Sequence, residues 1–397
     1  MSAPVAVAPP AAVRLAQLPP LALYVHIPWC VRKCPYCDFN SHQAKGNVPE
    51  DAYVEALVSD LEQGLPEVWG RRVASVFFGG GTPSLFSAEA IGTLISAFRA
   101  RLTLIPDCEI TLEANPGTFE AEKFRGYRDA GVTRLSIGVQ SFDPRHLAAL
   151  GRIHDGAEAR RAIEIARENF DNVNLDLMYA LPGQTSDEAR ADVEAAIASG
   201  VAHLSFYHLT IEPNTHFFRH PPALPDEDAS AAMQDTIAAS LARAGYADYE
   251  TSAWAQPGRQ CRHNLNYWRF GDYLGIGAGA HSKLSFPDRV TRSARWKQPK
   301  EYLERVREGR PVQESREVGR EDLVFEFMMN ALRLTGGVPV SLLAERTGLQ
   351  IALAEKALRQ AEARGLIERS HERIAPSALG RRFLNDLLQL FLPVKPS

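Results

Sequence analysis

The chain has 397 residues, of which 45% are hydrophobic, and its formal net charge is −4. This length allows two or three domains, and the slightly acidic balance argues against an extended nucleic-acid-binding surface. No run of about 18 apolar residues occurs, so no transmembrane helix is predicted. The five cysteines, three of them in one short segment, favour a reducing compartment, the cytoplasm, over a disulfide framework.

Residues 1–20 are rich in Ala, Val and Pro, which predicts a disordered leader and not a signal peptide. From residue 21 onward, six strand-like segments alternate with helical ones. They are LALYVHI, VASVFF, EITLEAN, RLSIGVQS, NVNLDLMYA and HLSFYHLTI. Apolar strands separated by helices are typical of a parallel sheet, and a closed barrel of this type needs eight units. The pattern therefore predicts a partial (β/α)6 barrel, an α/β fold, over residues 21–225.

Two further regions follow the predicted barrel. Residues 226–318 form a predicted linking region that contains the segment HNLNYW at 263–268. Residues 319–397 are mostly helical with a short hairpin-like stretch, which predicts a winged-helix-like C-terminal domain. Because the chain is not basic, we expect this domain to serve packing or partner contacts, and we expect no nucleic-acid partner.

Three cysteines lie at the spacing C-x3-C-x2-C directly after the first predicted strand: Cys30, Cys34 and Cys37. Side chains at the carboxyl ends of barrel strands commonly form active sites. Three thiolates can hold an iron–sulfur cluster and leave one iron open to a small ligand. Alternatively, they can hold zinc with His26 or His42 as the fourth ligand, or remain unligated.

Other predicted strands also end in polar or glycine-rich segments. The second strand runs into Gly79-Gly80-Gly81-Thr82-Pro83, where the backbone can approach a ligand closely. A charged or amide group at such a position costs free energy unless it is paired or meets a ligand. The residues of this kind near the other strand ends are Glu113, Gln140, Arg152 and Asp176. A buried ion pair between Glu113 and Arg152 is the alternative to ligand binding.

The segments LYVHIPWCVRKCPYCDFNSH, FFGGGTPS, SIGVQSF, NLDLMYALPGQT and HNLNYW together resemble the radical S-adenosylmethionine superfamily. The similarity extends over roughly residues 21–390, and it is to the branch that contains oxygen-independent coproporphyrinogen III oxidase and a related heme chaperone. The resemblance implies that the three cysteines hold a 4Fe–4S cluster, with S-adenosylmethionine chelating its open iron. It also implies that S-adenosylmethionine contacts Tyr24, Tyr36, Gly80, Gly81, Thr82, Glu113, Gln140, Arg152 and Asp176.

One departure from the oxidase pattern bears on activity. The oxidases of this branch carry an additional cysteine two residues after the last cluster ligand, and this chain has Phe39 there. The resemblance therefore implies a heme chaperone that binds the cluster, S-adenosylmethionine and heme and passes heme to respiratory enzymes. An oxygen-independent coproporphyrinogen III dehydrogenase is the alternative, and a zinc-stabilised interaction protein is a third. Whether the chain is an enzyme stays open at this point.

His263 is the candidate heme ligand, because a neutral imidazole is a good axial ligand and the adjacent HNLNYW residues are polar and aromatic. A structural histidine is the alternative reading, and His208, His281 and Cys261 are competitors. The methionines at 178, 233, 328 and 329 are predicted to be core residues. The partners implied are a heme-accepting respiratory enzyme and an electron donor for the cluster, with membrane contact only through a partner. The chain is expected to be a monomer or a homodimer.

Overall fold

The computed structural model describes residues 13–117 and 120–393. Its strands are β1 (Leu21–Ile27), β2 (Trp29–Cys30), β3 (His42–Gln43), β4 (Arg72–Gly80), β5 (Thr103–Ala114), β6 (Arg134–Gln140), β7 (Val173–Tyr179), β8 (His203–His208), β9 (Ala247–Glu250), β10 (Ala253–Ala255), β11 (Asp272–Ile276), β12 (His281–Ser285), β13 (Val290–Arg295), β14 (Val312–Glu317), β15 (Val338–Pro339), β16 (Ile367–Arg369) and β17 (Arg373–Pro376).

Its helices are α1 (Glu50–Val68), α2 (Ala88–Arg101), α3 (Glu120–Ala130), α4 (Pro144–Ala149), α5 (Gly156–Asn169), α6 (Ser186–Ala198), α7 (His216–Arg219), α8 (Glu227–Arg243), α9 (Arg262–Trp268), α10 (Pro299–Arg307), α11 (Arg320–Ala331), α12 (Ser341–Thr347), α13 (Glu355–Ala363), α14 (Ala378–Arg382) and α15 (Leu384–Gln389). Short 3-10 helices occupy Pro83–Leu85 and Ile351–Ala354. No helix within the described part of the chain is long and apolar enough to cross a membrane.

The main sheet contains the six predicted strands in the predicted parallel arrangement. They are β1, β4, β5, β6, β7 and β8, each hydrogen-bonded to the next. Helices cover the outer face, where Phe78 of β4 stacks on Phe98 of α2 with ring centroids 6.0 Å apart. Side chains alternate along a strand, so Ser75 and Phe77 point to the inside of the partial barrel. The predicted α/β fold with a partial six-unit barrel is confirmed.

The region expected to link two domains instead extends the main sheet. Strand β11 pairs in parallel with β1, on the side opposite β4. Strands β12, β13 and β14 continue that edge in antiparallel fashion, while β10 and β9 extend the other edge beyond β8. The expectation missed these strands because β11 is short and runs into a glycine-rich turn, and because an antiparallel edge needs no crossover helix.

The C-terminal region has its own hydrophobic core. Helices α11 to α15 surround a three-stranded sheet in the order β15, β17, β16, which matches the predicted helical, winged-helix-like unit. Met328 is buried in this core, but Met329 is 38% exposed, so the core assignment of Met329 is wrong. Met178 and Met233 are buried as expected.

The end of the predicted leader packs against this C-terminal core. Val13 and Leu15 are buried among its side chains, and Leu15 N donates to Pro287 O at 3.0 Å. Gly348 permits the approach, because a Cβ there would lie 2.6 Å from Arg14 N. Residues 13–20 therefore do not behave as the expected disordered leader, since apolar side chains find a partner surface. Residues 1–12 of that leader lie outside the described residues.

Candidate cofactor site

The cysteine loop lies at the carboxyl end of β1. Cys30 is buried on the short strand β2, and Cys34 and Cys37 are half-buried on the following loop. The loop is fixed by its own backbone and by Lys33, whose Nζ donates to Ser41 O at 3.1 Å. Burial raises the pKa of the Cys30 and Cys37 thiols. Without a bound cation these thiols stay protonated at neutral pH, and coordination to a metal would deprotonate them.

The three cysteine sulfur atoms are not among the groups of described residues that are gathered closely enough to hold a single metal ion. In the described part of the chain, Asp143, His146 and Glu188 gather their ligand atoms within 4.8 Å of one another, and the three cysteines do not. A tetrahedral zinc ion with sulfur at about 2.3 Å would bring its thiolates within about 4 Å of each other. A single zinc ion would therefore require the three sulfur atoms to be drawn together.

The two histidines considered as a fourth zinc ligand are engaged elsewhere. His26 uses both ring nitrogens, with Nδ1 3.0 Å from Tyr24 Oη and Nε2 2.9 Å from Asn40 O. His42 Nε2 lies 3.3 Å from Asn40 Oδ1. Neither imidazole is held toward the sulfur atoms by these contacts, which weakens the zinc alternative further.

The glycine segment after β4 packs directly against the cysteine loop. A Cβ on Gly81 would lie 2.5 Å from Trp29 O and 2.9 Å from Cys30 Sγ, so this position tolerates no side chain. Gly80 has a φ of +124°, which side chains rarely adopt. Thr82 N donates to Trp29 O at 2.8 Å and places the threonine hydroxyl beside the loop. Because Gly80 and Gly81 have no side chains, the backbone of this segment is uncovered next to the thiols.

Arg152 connects the cysteine loop to the ends of β5 and β6. Its Nη1 lies 3.7 Å from Cys34 Sγ, and its Nη2 donates to Asn115 Oδ1 and Gly138 O, both at 2.7 Å. Asn115 in turn donates from Nδ2 to Thr82 Oγ1 at 2.8 Å. This chain of contacts positions a guanidinium at the edge of the thiol cluster, where an anionic group of a ligand can be bound.

The predicted ion pair between Glu113 and Arg152 does not form. Glu113 instead accepts from Gly80 N at 3.2 Å, on the inside of the barrel. Burial, together with the nearby carboxylate of Asp176, raises the pKa of Glu113 to about 8. Burial also raises the pKa of Asp176, which accepts from Ser136 Oγ at 2.8 Å. Two carboxyl groups with raised pKa values at one strand edge are typical of a ligand-binding site.

Of the remaining residues predicted for S-adenosylmethionine, Tyr36 and Gln140 lie at this edge, whereas Tyr24 lies in the middle of β1, in register with Phe77. Tyr24 is on β1 and stacks near Phe77, with ring centroids 6.3 Å apart. Tyr36 lies between the last two cysteines and packs on Phe217 at 6.5 Å. Gln140 ends β6 with a φ of +67°, which turns the chain out of the strand.

A cavity of about 360 Å³ opens beside the cysteine loop. It is lined by Cys34, Thr82, Asn115 and Arg152 together with apolar groups such as Leu85. A cleft of this size, largely apolar with a few convergent polar groups, is typical of a small-molecule site. Sequence reasoning missed Asn115, although its position directly after the β5 strand end was the available signal.

The candidate heme ligands differ in accessibility and in their contacts. His263 is buried on α9, stacks on Phe77 with ring centroids 4.9 Å apart, and places Nδ1 2.9 Å from Ser75 Oγ. Its Nε2 is buried and has no hydrogen-bond partner among the described residues. Burial lowers the pKa of His263 to about 3, so the imidazole is neutral and able to bind a metal.

The other candidate heme ligands are less suited to bind heme iron than His263. Cys261 is buried, and its thiol donates to Glu109 Oε1 at 3.5 Å. His208 and His281 are exposed at strand ends. Phe39 is 60% exposed beside the cysteine loop, where it can contact a partner or ligand but cannot supply a fourth thiolate.

Comparison with known proteins agrees with this geometry. The Radical SAM superfamily model matches residues 24–196, and the HemN C-terminal domain model matches residues 318–383. Proteins named heme chaperone HemW are similar over nearly the whole chain: that of Escherichia coli (strain K12) is 49% identical, with 95% of this chain and 100% of that protein covered. The corresponding protein of Haemophilus influenzae is 47% identical, with 95% and 99% covered.

A solved structure supports the fold independently. Coproporphyrinogen III oxidase (HemN) from Escherichia coli, a radical SAM enzyme, superposes with a TM-score of 0.80 at 24% identity, over 94% of this chain and 90% of that one. Radical SAM proteins of this kind hold a 4Fe–4S cluster and S-adenosylmethionine, in agreement with the three-cysteine loop and the polar strand ends beside it. By sequence, domain content and fold, this chain belongs to the heme chaperone HemW family of the radical SAM superfamily.

Proposed function

We propose that this protein is a heme chaperone that binds a 4Fe–4S cluster, S-adenosylmethionine and heme, and transfers heme to respiratory enzymes. The observation that carries the proposal is the combination of a cysteine loop built for a cluster with Phe39, and not a further cysteine, beside it. The names of the relatives support heme as the cargo.

The cluster would be held by Cys30, Cys34 and Cys37, with S-adenosylmethionine at the open iron. Arg152 is placed to bind the carboxylate of that ligand, because its guanidinium lies at the edge of the thiols. Glu113 and Asp176 line the inner side of the same strand edge, where a hydroxyl-rich or cationic part of the ligand can be bound. The pKa of Glu113, raised to about 8 by burial and by Asp176, allows that carboxyl group to donate as well as accept a hydrogen bond.

Heme would be bound through His263. A neutral, buried imidazole with one nitrogen fixed by Ser75 and the other without a partner among the described residues could supply a ligand nitrogen to the heme iron. The aromatic rings of Phe77 and Tyr267 flank His263, at 4.9 Å and 5.0 Å between centroids, and supply apolar surface.

The proposal extends to location and partners. We place the protein in the cytoplasm, with a heme-accepting respiratory enzyme as its partner and a separate electron donor for the cluster. Contact with the membrane would occur through the recipient enzyme. The C-terminal core packs independently of the barrel core and offers a surface for such contacts.

The test combines heme uptake and enzymatic assay on the same preparation. Anaerobically reconstituted protein should contain iron and acid-labile sulfide, take up heme with a saturable Soret band, and transfer it to a heme-free respiratory enzyme. The same preparation should not convert coproporphyrinogen III to protoporphyrinogen when supplied with S-adenosylmethionine and a reductant. Zinc without sulfide would favour an interaction protein, and coproporphyrinogen conversion would favour the dehydrogenase; either result would replace the proposal.

A further inference from the structure

Two histidines lie side by side on the protein surface at helix α7. His216 begins the helix, and His220 follows its last residue. The backbone N of His220 donates to His216 O at 2.9 Å, so one helical turn separates the two side chains. Their ring centroids are 4.7 Å apart, and the ring planes are tilted by 39°. Both residues are exposed, and neither imidazole has a hydrogen-bond partner among the described residues.

The separation of the two rings matches that of imidazoles that share one metal ion. With metal–nitrogen bonds of about 2.0–2.1 Å, the centre of each ring lies about 3.2 Å from the ion. Two such ligands at an angle of about 90–110° at the ion therefore have ring centres about 4.5–5.2 Å apart. The observed 4.7 Å falls within this range. Residues four apart lie on one face of a helix, so both rings can turn toward the same ion.

The helix that carries the pair is held in place by its neighbours. Thr215 Oγ1 accepts from Phe218 N at 3.1 Å and caps the first turn. Phe217 is buried, and its N donates to Pro35 O of the cysteine loop at 3.0 Å. The ring of Phe217 also packs against Tyr36 of that loop. The backbone of the pair is therefore fixed before an ion arrives, which reduces the entropy lost on binding.

We propose that His216 and His220 bind a divalent transition-metal ion of the class that prefers imidazole, which comprises Zn²⁺, Ni²⁺ and Cu²⁺. Two nitrogen ligands suit these ions, whereas Mg²⁺ and Ca²⁺ require oxygen ligands. The exposure of the pair leaves the remaining coordination positions to water. An ion bound here closes the turn of α7 that packs on the cysteine loop, so it stabilises the folded protein by mass action. The site depends on neither the proposed cluster nor heme.

A second group of ligand atoms has to be distinguished from this pair. Asp143, His146 and Glu188 gather their ligand atoms within 4.8 Å of one another. Arg145 already pairs with both carboxylates, at 3.0 Å from Asp143 and 2.5 Å from Glu188, and its charge opposes a cation there. We therefore expect no ion at that group, and the experiment includes a variant of it as a control.

Calorimetric titration of the anaerobically reconstituted full-length protein with Ni²⁺ tests the site, because thiolates that hold a cluster do not compete for the ion. The wild type should bind one equivalent. His216→Ala and His220→Ala should each weaken binding at least about tenfold, since the second imidazole otherwise binds intramolecularly at a high effective concentration. His371→Ala, at another exposed histidine, and Glu188→Gln should bind Ni²⁺ as the wild type does.

Histidine footprinting assigns the site in the wild type and does not require a cluster. Zn²⁺ should protect His216 and His220 from acylation by diethyl pyrocarbonate and leave His371 reactive, as read by mass spectrometry of the peptides. The proposal is overturned if all variants bind Ni²⁺ as the wild type does, which would indicate an adventitious ion only. It is also overturned if Glu188→Gln alone loses binding, or if Zn²⁺ protects other histidines and not this pair.

Discussion

Arg152 lies against Cys34, with Nη1 3.7 Å from Sγ, although 118 positions separate the two residues in sequence. The contact joins the cysteine loop, which follows β1, to the segment that follows β6 and α4. Asn115 and Gly138 fix the guanidinium from the other side. The arrangement couples the electrostatics of the proposed cluster to the carboxyl ends of β5 and β6.

Replacing Arg152 should weaken S-adenosylmethionine binding without unfolding the protein. Arg152→Lys keeps the charge but cannot reach Cys34, Asn115 and Gly138 together. Because hydrogen bonds to charged groups contribute about 1.5–3 kcal/mol, we expect the dissociation constant to rise about 10- to 100-fold. Equilibrium titration of the reconstituted protein with S-adenosylmethionine measures this dissociation constant. Arg161→Lys, on the exposed surface, is the matched control, and equal affinity in both variants would rule out the assigned role.

Removing one thiol of the loop should remove the cluster and S-adenosylmethionine binding together. Cys34→Ala takes away a ligand that two neighbouring thiols cannot replace, so iron, sulfide and the cluster spectrum should be lost. Cys108→Ala serves as the control, because Cys108 is buried on β5 among core side chains and should leave the cluster intact. A full cubane in Cys34→Ala, seen by ultraviolet–visible and paramagnetic resonance spectra, would show that the ligand assignment is mistaken.

A methyl group at Gly81 should disrupt the cysteine loop. In Gly81→Ala the Cβ would lie 2.5 Å from Trp29 O and 2.9 Å from Cys30 Sγ, and one of these groups must move. Overpacking of this kind costs about 1–3 kcal/mol, so both cluster occupancy and unfolding free energy should fall. Gly92→Ala, where the nearest atom is at 3.5 Å, is the comparison and should be neutral or stabilising. Normal cluster content in Gly81→Ala would contradict the close packing described.

The raised pKa of Glu113 predicts a pH dependence of stability. The carboxyl group keeps its proton in the folded protein up to about pH 8, whereas in the unfolded chain it loses the proton near the ordinary value of 4.5. Between these values the folded state binds more protons, so the free energy of unfolding falls as the pH rises, and the dependence ends above about pH 8. The slope from this group is at most about 1.4 kcal/mol per pH unit.

Denaturant unfolding of the wild type and of Glu113→Gln between about pH 4.5 and pH 8 isolates the contribution of Glu113 to the free energy of unfolding. The difference between the two proteins should grow with pH up to about 8 and then stay constant. Glu164→Gln, an exposed helix residue, is the matched control and should follow the wild type. Parallel curves for wild type and Glu113→Gln would mean that Glu113 is already ionised in the folded protein.

The sequence predicted the parallel strands because their apolar runs are continuous and because a helix follows each one. Strand β11 escaped prediction, since its five residues lack that context and its pairing with β1 connects positions about 250 residues apart. The expected disorder of residues 13–20 was wrong because Val13 and Leu15 are buried by a surface formed more than 300 residues later. Local composition carries no information about such distant partners.

The candidate site was predictable where a motif fixes the chemistry, as in the cysteine loop and the glycine segment. The contacts that position the site residues were harder to predict from the sequence than the motifs. Arg152 was expected to pair with Glu113, yet it binds Asn115 and Gly138 O, because carbonyl groups at a strand end compete with carboxylates for a guanidinium. Arg134 is buried without an ion pair among the described residues, and this could not be read from RLSIGVQ, since it depends on how Glu109 and Asp176 are satisfied by other elements.

Heme titration of the reconstituted protein, with His263→Ala and His208→Ala in parallel, tests the central claim most directly. The wild type and His208→Ala should bind heme with a saturable Soret band and the spectrum of an imidazole-ligated iron. His263→Ala should lose that ligation and bind heme at least about tenfold more weakly. Absence of heme uptake by the wild type would contradict the assignment as a heme chaperone, and an unchanged spectrum in His263→Ala would contradict His263 as the ligand.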